Sequence, residues 1–501
     1  MNNVLEYLEQ SKNRYPHKIA FDDLTNRCTY EELYDNSKRI GSFLSQYTHP
    51  CRPVAVYMDK SVEALTAFLG IVSAGCFYTL ISIEQPIFRI QQILDVLNPE
   101  CIITRKGLET TFAELSYNGK LFDYETTVQF DRLDEPLQKI RDLSQDIHPL
   151  YCNFTSGSTG VPKGVLVSHR SVIDFMEYFP DMFQITEKDR IGNQAPFDFD
   201  VSVKDIYSTL KTGASMIILP KKFFSIPARL LDCLCDFQVT TLIWAVSALC
   251  MVSQLKGFTY KVPNSVNKVL FSGEAMPTSQ LRIWQDHLPE ASFVNLYGPT
   301  EITCNCTYYA ILRKFEPDEM IPIGKAFPNE HVFLLNKENK EVTKEEEIGE
   351  ICVSGTALAL GYYHAPEQTS RSFVQNPLNP NYIELIYRTG DLAYYNHDGD
   401  LCFSGRKDFQ IKHMGHRIEL EEIERILNSY PEVERACCVF HPVNKRIAAF
   451  YSGSLEGKEI LKRMRNHLPS YMIPNVCFPL AQLPVTPNGK MDRKKLLEMF
   501  S

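Results

Sequence analysis

With 501 residues, 44% of them apolar, and a net charge of −9, the chain can fill the cores of more than one domain and carries an ordinary charge for an enzyme in water. That balance disfavours a broad nucleic-acid surface. No apolar run reaches the roughly 18 residues of a membrane helix, and the opening MNNVLEYLEQSKNRYP is charged where a signal peptide is apolar, so a cytoplasmic protein with no membrane span is expected.

In chain order, RPVAVYM is predicted as a strand, SVEALTAFLGIVSAG as a helix closed by glycine, and ECIITR as another strand. LYCNF is a strand. TSGSTGVPKG at 155–164 follows it and leads into VLVSHRSVIDFMEYF, a strand and then a helix. The alternation returns in ASMIILP, PARLLDCLCDFQ, TTLIWAV and NKVLFSGE. This is the pattern of parallel α/β layers, whose ligand loops lie at the carboxyl ends of strands. From about residue 330 the pattern turns antiparallel, in HVFLLNKENKEV, GEICVSG and LAYYNHDGDLCFSG with its Asp398-Gly399 turn. After Gly405, HRIELEEIERILNSY is predicted as an amphipathic helix, RACCVF and RIAAFYSG as strands, and KEILKRMRNHL as a helix. A boundary at Asp408 gives domains of 1–407 and 408–501. The fifteen cysteines include no CxxC pair and often have apolar neighbours, which favours reduced core thiols over metal ligands or disulfides.

TSGSTGVPKG crowds four hydroxyls, three glycines and a lysine into ten residues. Glycines let backbone N–H groups converge on an anion, hydroxyls add donors and Lys163 adds charge. It is not a Walker A loop, since Gly164 follows Lys163. Composition alone fits a flexible linker as well as a phosphate cradle.

Five further segments lie downstream: NLYGPTE (295–301), GYY (361–363), YRTGD (387–391), GRKDFQIKHMGHRIELEEIE (405–424) and PNGKMDR (487–493). Together, in this order and spacing, the six segments resemble the adenylate-forming superfamily across nearly the whole chain. Within it they are most similar to stand-alone amino-acid adenylation domains of the nonribosomal peptide synthetase type and to D-alanine–carrier-protein ligases. The resemblance implies an α/β fold: a large N-terminal domain of layered α/β subdomains with a β-barrel-like subdomain, then a small mobile α+β C-terminal domain.

It also implies roles. Thr155, Ser156, Gly157, Ser158, Thr159, Gly160 and Lys163 would cradle the β- and γ-phosphates of ATP. Asn295, Tyr297 and Gly298 would border the adenine. Thr300 would reach the α-phosphate and Glu301 would hold Mg2+. Asp391 would bind the ribose hydroxyls, with Arg406 on ribose or phosphate. Lys490 would be the catalytic lysine between substrate carboxylate and α-phosphate, and Asp408 the hinge that lets its domain swing. Lys412 and Gly415 match the segment facing the pantetheine tunnel.

The acid is addressed by Phe199-Asp-Val-Ser-Val-Lys-Asp-Ile-Tyr207. In amino-acid-activating relatives an aspartate at the position of Asp200 pairs with the substrate ammonium. Read alone, Asp200 fits a helix N-cap equally. The resemblance adds Val201, Lys204, Trp244, Leu270, Ser272, Leu296, Cys304 and Asn305 as pocket lining, although TLIWAVSAL lacks the proline that usually anchors Trp244. Lys204 and Ser272 depart from the D-alanine ligases, as does Ser82 elsewhere. Lys204 is open to three readings: pairing with Asp200, pairing with an acidic substrate side chain, or turning to solvent beside Asp205. The expected reaction is ATP-dependent activation of an amino acid, with transfer to a separate phosphopantetheinylated carrier protein, since no carrier domain follows Lys490. The alternatives are a D-alanine–carrier-protein ligase for teichoic acid D-alanylation and an acyl- or aryl-CoA ligase, and a monomer is expected.

Overall fold

The protein is described by a computed structural model covering residues 1–157, 160–317, 319–485 and 491–500. Two large sheets form the N-terminal domain. The first has nine strands, in the order Lys325–Ala326, Thr307–Ala310, Ser292–Tyr297, Lys268–Ser272, Thr241–Ala245, Arg190–Asn193, Ser215–Ile218, Ile19–Asp22 and Arg27–Thr29. Its inner pairs are parallel, and antiparallel strands close both edges. The second has seven strands, from Gly361–Tyr362 through Lys163–Ser168, Pro149–Thr155, Phe77–Ile81, Pro53–Tyr57 and Cys101–Thr104 to Lys120–Asp123. The predicted strands and helices alternate as their periodicity requires, and buried residues of both sheets join one continuous apolar core.

Two local outcomes differ from the sequence expectation. Pro149–Thr155 and Lys163–Ser168, which flank the TSGSTGVPKG segment, are antiparallel neighbours with Thr155 opposite Lys163, where the α/β pattern around them predicts parallel strands. HRIELEEIERILNSY does not begin as a helix: His416–Glu419 is a strand paired with Gln410–His413, and the helix spans only Leu420–Asn428. The reason lies just upstream. Met414 and Gly415 both have positive φ, 53° and 81°, the geometry of a tight hairpin turn that returns the chain on itself.

A five-stranded antiparallel sheet follows the large layers. Glu330–Leu335, Gly349–Gly355, Leu385–Tyr395 and Phe373–Gln375 pair in that order, and Leu401–Arg406 also pairs with Leu385–Tyr395. Beyond the Gln410–Glu419 hairpin, the small domain places Val433–His441, Arg446–Gly453 and Val476–Pro479 in a sheet. Alternate residues of its strands face two separate cores, one under Leu420–Asn428 and Gly457–Met464, the other under Arg493–Phe500. All fifteen cysteines are free, and twelve are buried.

Candidate active site

The residues expected to meet phosphate and metal converge where the two domains touch. Glu301 lies in a short 3-10 turn directly after the Ser292–Tyr297 strand and is fully buried. Tyr362 donates its hydroxyl to one Glu301 carboxylate oxygen at 2.8 Å, and Lys163 lies 3.9 Å from the same oxygen. Arg417, on the second strand of the small-domain hairpin, donates to both oxygens. Burial pushes the Glu301 carboxyl up, but Arg417 and Lys163 outweigh it and hold it down at about 2. Burial and Arg417 bring Lys163 down to about 8, against the pull of Glu301. Beside the Thr155–Lys163 pair, the Ser156 hydroxyl donates to the Arg417 carbonyl at 2.8 Å, while the buried Thr155 hydroxyl has no partner among the described residues. Gly160 adopts φ +77° and donates its N–H to the Gly157 carbonyl.

A second cluster lies at the end of the antiparallel sheet. The register sets Asp391 opposite Arg406. Asp391 accepts from the Tyr297 hydroxyl at 2.5 Å and from Arg406, which also grips Asp408 through two nitrogens at 2.6 and 2.7 Å. Lys412 stands 5.3 Å over the Tyr297 ring. Asn295 donates its side-chain amide to the Pro322 carbonyl. Gly298 has no room for a side chain: a Cβ there would lie 2.5 Å from the Asn305 Cα.

The expected acid pocket is built on one helix face. Asp200 precedes the helix Val201–Thr212, in the N-cap position, yet its φ/ψ of −62°/−24° is helical and its side chain makes no capping bond. The cap reading fails on this geometry. Burial pushes the Asp200 carboxyl up, against the Thr300 hydroxyl and the Lys204 ammonium, which favour its charge. One turn on, Lys204 is fully buried and donates to Asn305 at 2.6 Å and Ser272 at 3.4 Å, so it does not turn to solvent. The Cys304 thiol donates to the Asp200 carbonyl, and Leu270, Leu296 and Cys304 belong to the surrounding apolar cluster, with Val201 also buried.

Trp244 departs from the expectation. Strand alternation puts it beside Phe271, its indole donates to the Gly192 carbonyl, and it packs in a different core with Phe224 and Trp284. Ala245, paired with Ser272, lies on the pocket side of that strand.

Ser158, Thr159 and Lys490 lie outside the described residues. Sequence reasoning assigned no role to Arg417, Tyr362, Arg89 or Glu422. Arg89 and Glu422 form a buried ion pair of 2.6 Å across the domain junction. Arg417 and Glu422 lay inside a quoted motif, and their charge within an otherwise amphipathic run was the available signal.

Comparison with known proteins follows this geometry. A family model described as AMP-binding enzyme matches residues 8–363, and one described as AMP-binding enzyme C-terminal domain matches 422–490. The chain is 31% identical over 507 residues to tyrocidine synthase 1 of Brevibacillus parabrevis, covering 99% of this chain and 45% of that protein. The chain thus spans less than half of that relative. It is 31% identical over 514 residues to the D-alanine–D-alanyl carrier protein ligase of Bacillus cytotoxicus, with 99% of each covered. Among solved structures, that of IdnL1 matches at a TM-score of 0.81 and 26% identity, over 97% of this chain and 99% of the other.

Proposed function

The chain belongs to the family of AMP-binding enzymes, and on that premise we propose that it activates an amino acid with ATP and passes it to a separate carrier protein. In the first half-reaction a substrate carboxylate oxygen bonds to the α-phosphorus of ATP, and pyrophosphate leaves. In the second, the carrier's phosphopantetheine thiol bonds to the acyl carbon, AMP leaves, and the thiol proton passes to solvent. Such transfers depend on positioning and charge neutralisation more than on covalent help.

The chain's own groups divide this work. Backbone and hydroxyl donors at 155–160 and the Lys163 ammonium receive the β- and γ-phosphates. Tyr297 offers a face to adenine, and Asp391 offers acceptors to the ribose hydroxyls once Arg406 and the Tyr297 hydroxyl release them. Lys490 neutralises charge on the α-phosphate as the small domain turns about Asp408. Glu301 fits a Mg2+ ligand: it is a buried, ionised carboxylate, and this cation takes one or two carboxylates beside substrate phosphates. When bound, Mg2+ would neutralise phosphate charge. No helix among the described residues is long and apolar enough to cross a membrane; a cytoplasmic monomer is the proposed form.

One observation carries the choice of amino acids over other acids. Asp200 is a buried carboxylate that sits where a cap would sit and caps nothing. Its charge is complementary to an α-ammonium. ATP–pyrophosphate exchange with amino acids and with matched acids lacking the amine tests this. Exchange with amino acids is expected; exchange only with the amine-free acids would sink it and favour a CoA ligase. The full-length similarity to a D-alanine ligase supports cell-wall carrier loading as a second reading, though a buried lysine suits a small neutral side chain poorly.

A further inference from the structure

Lys204 is the most costly side chain in the pocket. It is fully buried, and among the described residues no carboxylate lies within 4.0 Å of its ammonium. Its two hydrogen-bond acceptors, Asn305 Oδ1 at 2.6 Å and Ser272 Oγ at 3.4 Å, are neutral. Asp205, next in sequence, faces elsewhere and accepts from Asn193 at 2.6 Å. Two neutral hydrogen bonds repay little of an ammonium's lost hydration, and Asp200 and Asp205 act on it only through space, so the buried charge is a net cost to the fold. A second polar group nearby is also unmet. Among the described residues the buried Tyr151 hydroxyl has no hydrogen-bond partner, and its electrostatic neighbours include Cys304 and Asp200. The rest of the wall is apolar, with Leu270 and Leu296 in the same cluster.

Asp200 and Lys204 are four residues apart, so they project from one face of the helix, one turn from each other. The geometry points to a substrate with a matching pair of charges: an α-ammonium for Asp200 and a side-chain carboxylate for Lys204. This rests on the amino-acid reading above and narrows it to acidic amino acids. The incoming carboxylate replaces Asn305 Oδ1 as the acceptor for Lys204.

The test is ATP–pyrophosphate exchange by the full chain with aspartate, glutamate and 2-aminoadipate of both hands. Their amides, alanine, leucine, succinate and glutarate complete the panel. An acidic amino acid is expected to lead, with its amide isostere lower by about 30-fold or more in kcat/KM. Lys204→Met is expected to lose that preference and keep its thermal midpoint, since the change removes a desolvated charge that has no direct ion-pair contact. If a neutral amino acid leads in the wild type, or if Lys204→Met leaves the acid-to-amide ratio unchanged, the inference is overturned. If Lys204→Met does not fold, Lys204→Gln and the wild-type ratio decide. Preferential exchange with a neutral amino acid overturns this inference alone. Absence of exchange with every amino acid overturns the reading of the preceding section as well.

Discussion

Arg417 Nη1 lies 2.9 Å from one carboxylate oxygen of Glu301 and 2.8 Å from the other, joining a small-domain hairpin to the buried acid of the large domain. A guanidinium on both oxygens neutralises the carboxylate and occupies acceptor sites that a cation would use. Under the proposed role of Glu301 as a Mg2+ ligand, Arg417 would compete with the cation for this carboxylate.

This competition is measurable. Arg417→Ala is expected to lower the Mg2+ concentration for half-maximal ATP–pyrophosphate exchange by about tenfold. An unchanged Mg2+ titration would refute the competition.

Glu301 also sets a pH signature. Its folded value, about 2, is below the ordinary 4.5 of a glutamate. The stabilisation is therefore fully present above pH 4.5 and is lost as pH falls towards 2. The difference corresponds to about 3 kcal/mol. Glu301→Gln should flatten the decline of the denaturant midpoint between pH 5 and 3, relative to wild type.

Asp200→Ala separates binding from capping. Loss of a cap typically costs about 1 kcal/mol, but Asp200 caps nothing. Amino-acid exchange should fall by about 100-fold while the thermal midpoint holds or rises. A lower midpoint with intact exchange would restore the cap reading.

Arg89→Met leaves Glu422 buried and unpaired at the domain junction. The docked arrangement should weaken by about 3 kcal/mol, read as faster proteolysis in the 405–410 connector. Adding Glu422→Gln should restore much of the protection, and a double-mutant cycle with no coupling would contradict it.

Lys490→Ala should lower exchange by about 100-fold or more, yet leave transfer from preformed aminoacyl adenylate to the carrier intact. Equal losses in both half-reactions would argue against a role confined to the first.

Much of this was legible in the sequence. Strand and helix periodicity placed the layers, because burial on one face imposes its own repeat. Asp200, Glu301, Asp391 and Lys204 could be named from motif register. What the sequence left open were long-range relationships and side-chain direction. Trp244 illustrates the second: a shift of one position along a strand moves a side chain to the other face, and the missing proline removed the marker that fixes register. Arg417 illustrates the first, since its partner is 116 residues away. The strand at His416–Glu419 was hidden because RIELEEIERIL has helical spacing, while the Met414-Gly415 turn that overrides it is only two residues long.

The free thiols bear on chemical selectivity. An acyl adenylate is an electrophile, and Cys304 sits in the wall of the pocket that would hold it. Burial pushes the Cys304 thiol well above its ordinary value, and its proton is directed at the Asp200 carbonyl. Thiolate is the form that attacks, so the nearest sulfur is inert where an exposed one would be acylated. Desolvation thus suppresses acylation of this thiol, and leaves the activated group of the proposed reaction to its intended acceptor.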